Sequence, residues 1–293
     1  VEIKAGEGDD SFNSSNYGRE ADRISYDGEE GNDYAYVERA VTSEARGGIG
    51  EDTFNGYQVA NILFSGDDGD DTISARYSGS VYLDGGDGDD TLESYGSVEA
   101  SLYGGEGNDA LHVGLTDSWQ QTDSIRRLYD QNDDWNIDNR SKITLTEGGD
   151  GNDVIVIRGN GTSLSSFVNN VEAKGGEGND QIKIIDQHAG VLGQNGQGYG
   201  VFSAQIDGGS GEDEIDVSGV LNASITTGSG SDTVVLTAQQ FRTIEEGDRK
   251  ISWWDNFLGQ NREETYEVKA ITITDFTAGS AGDTISYGDL LRN

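Results

Sequence analysis

Gly85-Gly86-Asp87-Gly88-Asp89-Asp90, followed by Thr91-Leu92-Glu93-Ser94-Tyr95-Gly96-Ser97-Val98-Glu99-Ala100-Ser101-Leu102-Tyr103, is one complete unit of this chain. Its opening sextet, Gly-Gly-x-Gly-x-Asp, recurs whole at 47–52, 104–109, 148–153, 175–180 and 208–213. Four more copies keep the fourth-position Gly and the final Asp, at 5–10, 28–33, 66–71 and 227–232. The closing aspartates are Asp10, Asp33, Asp52, Asp71, Asp90, Asp109, Asp153, Asp180, Asp213 and Asp232, at spacings of 23, 19, 19, 19, 19, 44, 27, 33 and 19. A base period of 19 broken by insertions predicts stacked coils instead of a globule.

Apolar residues keep phase with the sextet. Two places after each Asp stand Phe12, Ala35, Phe54, Ile73, Leu92, Leu111, Ile155, Ile182, Ile215 and Val234. Seven places before it stand Ile3, Tyr26, Ala45, Phe64, Leu83, Leu102, Thr146, Ala173, Ile206 and Ile225. In the unit 85–103 this predicts a turn, then a short strand with Leu92 and Ser94 inward and Thr91 and Glu93 outward. A second turn follows at Tyr95-Gly96, and a return strand with Val98, Ala100 and Leu102 inward. The expected fold is all-β: a right-handed parallel β-solenoid, roll-like, its coils roughly 4.8 Å apart. Gly56, Ala75 and Ser94 at one inward position make the core thin, so apolar burial alone gives a marginal fold.

The sextet also curls backbone carbonyls inward, at positions where Gly tolerates φ > 0 or close approach, and ends on a carboxylate. Ca²⁺ takes about six to eight oxygen ligands at roughly 2.3–2.6 Å in a forgiving geometry. One turn supplies only part of such a shell and the next coil the rest, so binding and stacking become one event. This pattern resembles the hemolysin-type calcium-binding repeats, the RTX family, over roughly residues 5–236. The resemblance implies about ten Ca²⁺ ions held by the ten aspartates named above. The turn glycines would offer carbonyls: Gly6, Gly8, Gly31, Gly48, Gly50, Gly69, Gly86, Gly88, Gly105, Gly107, Gly149, Gly151, Gly176, Gly178, Gly209, Gly211, Gly228 and Gly230.

The 55 acidic against 19 basic residues give a net charge of −36, which pushes an ion-free compact state apart. About ten Ca²⁺ would leave roughly −16. No basic patch exists to meet phosphate, so neither nucleic acid nor anionic membrane is an expected partner. No run of about 18 apolar residues is present, so no membrane insertion is expected. Cysteine is absent, which excludes disulfides and thiolate metal sites. The chain begins at Val1 without a signal peptide and contains no Met, the expectation for an excerpt or a processed product.

The expected organisation is a repeat domain over 1–236 and a capping region over 237–293. Insertions at 115–142, 160–167 and 186–200 enter at the turn away from the sextet, and the first carries a short helix near Asp123–Tyr129. Thr237–Phe241 reads as a capped helix start, and Trp253-Trp254 as part of a C-terminal cap. The end, from Ile273-Thr274-Asp275-Phe276 to Asp289-Leu290-Leu291, resembles the secretion-targeting end of RTX adhesins, and Gly279–Asp283 breaks the sextet, leaving Asp283 outside the ligand set. Val1–Asp10 matches Val171–Asp180, so the chain starts inside a return strand, and its open edge implies either sequence preceding Val1 or a docking subunit, the latter giving head-to-tail self-association.

Catalysis is not expected. Neither His-Glu-x-x-His nor Gly-x-Ser-x-Gly occurs, and the two histidines, His112 and His188, read as surface residues. The third sextet position, charged and uneven from Glu7 to Ser229, does not suit ice binding, and Thr53, Thr72, Thr91 and Thr233 read as a strand ladder. Tyr57, Tyr77 and Tyr95 form either a stacked ladder or a carbohydrate-gripping strip. Two readings stand: a secreted, cell-surface structural element of a fibre, surface layer or adhesin stalk, exported by a type I-like route; or an adhesin module whose inserted loops bind a glycan or cell-surface protein.

Overall fold

The computed structural model describes residues 1–15, 21–114, 144–159, 171–186, 201–236, 271–277 and 282–287. These residues form a parallel β-solenoid of two eleven-stranded sheets, with no helix among them. The first sheet takes the strands that run into the sextets, from Glu2–Glu7 through Ser80–Asp87 to Thr272–Ile273. The second takes the strands that follow each closing Asp, from Ser11–Ser15 through Thr91–Tyr95 to Thr284–Tyr287. In both sheets every strand pairs in parallel with its counterpart one coil away.

The 19-residue clock sets the register. Leu83 pairs with Leu102 in the first sheet, and Leu92 with Ile73 and Leu111 in the second. Like residues therefore stack in columns, and the inward columns of the two sheets meet as the core. Phe54, Ile73, Leu92, Leu111, Ile155, Ile182, Ile215 and Val234 are fully buried on one side. Phe64, Leu83, Leu102, Ala173 and Ile225 face them, with Thr146 buried among them. Where the first coils bring larger side chains, rings interlock: Phe12–Tyr26, Tyr26–Phe54 and Phe54–Phe64 each lie with centroids 5.9 Å apart. Gly56, Ala75 and Ser94 are buried at the small inward position, so the core is narrow. Val98, expected inward, is only half-buried, because it lies at the corner of the second turn.

The insertions 115–142, 160–167 and 186–200 interrupt the chain between a second-sheet strand and the next first-sheet strand, opposite the sextet turns. Their interiors, His188, Thr237–Phe241 and Trp253-Trp254 lie outside the described residues. Beyond that stretch the chain rejoins both sheets: Thr272–Ile273 pairs with Ser224–Ile225, and Thr284–Tyr287 with Thr233–Leu236. Thr272–Ile273 and Thr284–Tyr287 thus add an eleventh rung to the two sheets. No helix among the described residues is long and apolar enough to cross a membrane.

Candidate metal centre

Each sextet is the turn between the two sheets, and the unit 85–90 shows why its residues are what they are. Gly86 and Gly88 have φ of +116° and +140°, which L side chains rarely adopt. A Cβ at either would also strike a carbonyl of the preceding coil, that of Asp67 or of Gly69. Gly85 has no positive φ; a Cβ there would sit on Asp90 Oδ2 and on the Gly104 carbonyl of the next coil. All eighteen glycines singled out in the sequence have positive φ. Glu29 and Asp67, which replace the second Gly in two incomplete copies, are held at φ 75° and 76°.

The closing aspartates form one continuous row. The Oδ1 of each accepts the backbone N–H of the preceding closing Asp: Asp10 donates to Asp33, Asp33 to Asp52, and so on through Asp213 to Asp232, at 2.6–3.0 Å. The insertions do not break the row, since Asp109 donates to Asp153, Asp153 to Asp180 and Asp180 to Asp213. From Asp33 to Asp232 these carboxylates are at most 2% exposed. Asp10 is half-buried at the end of the row.

The second oxygen decides the chemistry. Oδ2 of Asp33, Asp52, Asp71, Asp90, Asp109, Asp153, Asp180, Asp213 and Asp232 is buried and has no hydrogen-bond partner. A buried, unpaired carboxylate oxygen is costly and calls for compensation. Eight of the nine lie beside a first-position carbonyl of the next coil: Gly47 for Asp33, then Gly66, Gly85, Gly104, Gly148, Gly175 and Gly208, and Thr227 for Asp213. Two acceptor oxygens thus converge at these interfaces, a donor set that a hard cation, or a proton on the carboxyl, can bridge. Among the described residues no three acidic or imidazole side chains converge, and beside each of these eight closing carboxylates stands one first-position carbonyl.

Burial pushes these carboxyls upward, against the opposing effect of the donated amides and with the help of neighbouring aspartates. Asp90 rises to about 8, Asp71 to about 7, and Asp52, Asp109, Asp153, Asp180 and Asp213 to about 6. Asp33 and Asp232 are also raised by burial. An ionised carboxyl moved from its ordinary value to about 6 costs about 3 kcal/mol. Burial therefore disfavours the ionised row, an effect that protonation or a cation would offset.

Two further features were not legible as sites. The fifth sextet position forms its own ladder: Asp9, Asn32, Asp70, Asp89, Asn108, Asn152 and Asn179 each accept the backbone N–H of the fifth residue in the following coil, at 2.6–3.0 Å. It runs opposite to the Asp row, so the turns that carry both bonds are gripped from both sides. The recurrence of Asp or Asn at that place was its signal. The second feature is the end of the row. Asp283 is buried, and its Oδ1 accepts the Asp232 N–H, as a regular closing Asp would. Its Oδ2, however, accepts from the Thr277 amide and the Thr227 hydroxyl. Asp275 takes the first-Gly place and accepts the Thr227 and Gly228 amides, which against the effect of burial hold it below the usual carboxylate range. Protein donors thus satisfy the last turn where earlier turns leave an oxygen bare.

At the second turn Tyr57, Tyr77 and Tyr95 stack edge to face, with centroids 5.7 and 5.6 Å apart. Beside them a notch of about 290 Å³ is lined by Arg76, Tyr95, His112 and Arg158 among others. His112 faces outward near Glu93 and is no part of the aspartate row. No protein family, curated protein or solved structure matches this chain on comparison.

Proposed function

We propose that the chain is a secreted structural solenoid of the hemolysin-type repeat class, whose coils stack when calcium fills the aspartate row. The observation that carries this reading is the set of nine buried, unpartnered Oδ2 atoms, eight of them facing a carbonyl of the next coil. Calcium would supply positive charge between those oxygens. The chain's own residues do the rest. Oδ1 of each Asp ties down the preceding coil, the glycines let carbonyls approach, and the fifth-position ladder fixes the spacing. Extracellular modules bind calcium at about 10⁻⁴–10⁻³ M, far above cytosolic levels. Inside a cell the ionised carboxyls keep the coils apart, which suits export as a loose chain. Outside, stacking proceeds by mass action.

Far-ultraviolet dichroism with and without chelator, with calorimetric counting of ions, tests the proposal. Loss of the β signal in chelator, its return with calcium, and eight or nine ions per chain are expected. A β signal that persists unchanged in chelator overturns it. A second reading, glycan binding, is favoured by the notch beside Tyr95. Retention on a glycan array by the calcium-loaded protein tests that, and a blank array dismisses it.

A further inference from the structure

On the outer face of the first sheet, Tyr82 and Tyr103 stand on neighbouring strands, Ser80–Asp87 and Glu99–Glu106. Their rings lie with centroids 5.1 Å apart, tilted by 36°. Tyr103 pairs across the strands with Asp84, and Tyr82 is two residues before Asp84 on the same face. One carboxylate is therefore flanked by both phenols. The Tyr82 hydroxyl donates to Asp84 Oδ2 at 3.3 Å. Tyr82 is 36% exposed, and Tyr103 is half-buried.

We propose that Tyr82 and Tyr103 are an oxidative cross-linking site, at which one-electron oxidants of the peroxidase class join the two rings into a dityrosine that covalently ties successive coils. Three observations converge on this pair. The chain has neither Cys nor Met, so sulfur does not intercept the oxidant and tyrosine becomes a principal sink. The tilted, near-stacked arrangement brings ring carbons side by side. The other close pairs, Tyr57–Tyr77 and Tyr77–Tyr95, are edge-on at 85° and 73°, with the edge of one ring against its neighbour's face. Finally, the Tyr82 hydroxyl is tied to Asp84 Oδ2, which holds its ring in place beside Tyr103.

The step balances as follows. Each phenol gives one electron to the oxidant and one proton to solvent. The two phenoxyl radicals form a carbon–carbon bond between positions ortho to their oxygens. Each ring then moves its displaced ring hydrogen to oxygen and regains aromaticity. The net change is loss of two hydrogens, taken up by two one-electron equivalents of oxidant. The product spans one inter-coil interface and holds it whether or not an ion does.

The test is oxidation of the full chain, folded in calcium, with a haem peroxidase and hydrogen peroxide. Cleavage after glutamate follows; cuts at Glu93 and Glu99 separate the two tyrosines unless they are joined. The expected result is a cross-linked peptide pair, lighter by two hydrogens, carrying Tyr82 and Tyr103 from one molecule. Tyr82→Phe and Tyr103→Phe keep the rings packed and abolish it, and unchanged dichroism of each variant shows that the fold is kept. The proposal is overturned if Tyr82 and Tyr103 stay unjoined while other tyrosines couple, or if they join only between molecules.

Discussion

Replacing Asp90 separately by asparagine and by alanine tests the row one oxygen at a time. In the native chain Oδ1 of Asp90 accepts the Asp71 amide at 2.7 Å, while Oδ2 lies bare beside the Gly104 carbonyl. Asp90→Asn keeps an oxygen for the Asp71 amide and turns an N–H₂ toward the Gly104 carbonyl. Asp90→Ala leaves both groups buried without a partner. Both variants lose the carboxylate and hence the ion, so the difference between them is free of metal energetics. It consists of two buried polar groups at about 1–3 kcal/mol each, or about 2–6 kcal/mol in favour of asparagine. Relative to the native chain, Asp90→Asn also removes a carboxyl that burial holds near 8. Keeping that group in the ion-free fold at pH 7 costs about 4 kcal/mol. A lost ion at a hundredfold excess over its dissociation constant takes away about 3 kcal/mol. Asp90→Asn should therefore fold at lower calcium than the native chain and bind one ion fewer, whereas Asp90→Ala should require more calcium. Dichroism-followed calcium titrations and thermal melts, with ion counting by calorimetry, read all three quantities. If the two variants melt alike, or if both bind as many ions as the native chain, the assignment of the two oxygens is wrong.

Acidity should act in opposite directions with and without the ion. The row carboxyls have folded values above their ordinary 3.8, so the ion-free fold binds more protons than the unfolded chain, and its stability rises as pH falls from about 8 toward about 4. Chelated protein should regain β dichroism on acidification, and calcium-loaded protein should lose ions over the same range; parallel responses would contradict the burial argument. Gly88→Ala places a Cβ against the Gly69 carbonyl at φ +140° and should cost more than about 2 kcal/mol, seen as a fall in melting temperature; an unchanged melt refutes the packing described. Asp67→Gly relieves a positive φ and removes a charge near Asp52 and Asp71, with an expected gain of about 1 kcal/mol; a lower melting temperature counts against strain at that position. Asp275→Ala frees the Thr227 and Gly228 amides and should lower the melting temperature while leaving the ion count untouched; a lost ion would place metal in the last turn.

Most of the architecture was legible because one residue type, Gly, is demanded at fixed places by backbone contact. The period, the two strands per coil and the inward columns from Phe54 to Val234 follow from that spacing. The first sextet glycine was legible as a repeat but not as a partner, since its carbonyl matters only once the next coil is stacked on it. Asp283 escaped the pattern for a geometric reason. Seven residues separate it from Asp275, where a regular sextet has four between its first and last residue, so it falls off the clock while still occupying the row. The fifth-position ladder was blurred by its mixed membership, with Glu51, Glu212 and Ser231 standing among the Asp and Asn acceptors. The Tyr82–Tyr103 pairing needed the lateral register, because the two residues lie in different columns.

The closing-Asp hydrogen bond and the parallel strand pairing that cross one interface between Asp33 and Asp232 are made again at the next. Copying residues 91–109 in tandem would therefore create no new kind of junction: the added unit arrives with its own carboxylate, its own carbonyl and its own share of the apolar columns. The length of such a molecule is a freely adjustable quantity, set by how many times a short piece of gene is duplicated and not by any redesign of the parts.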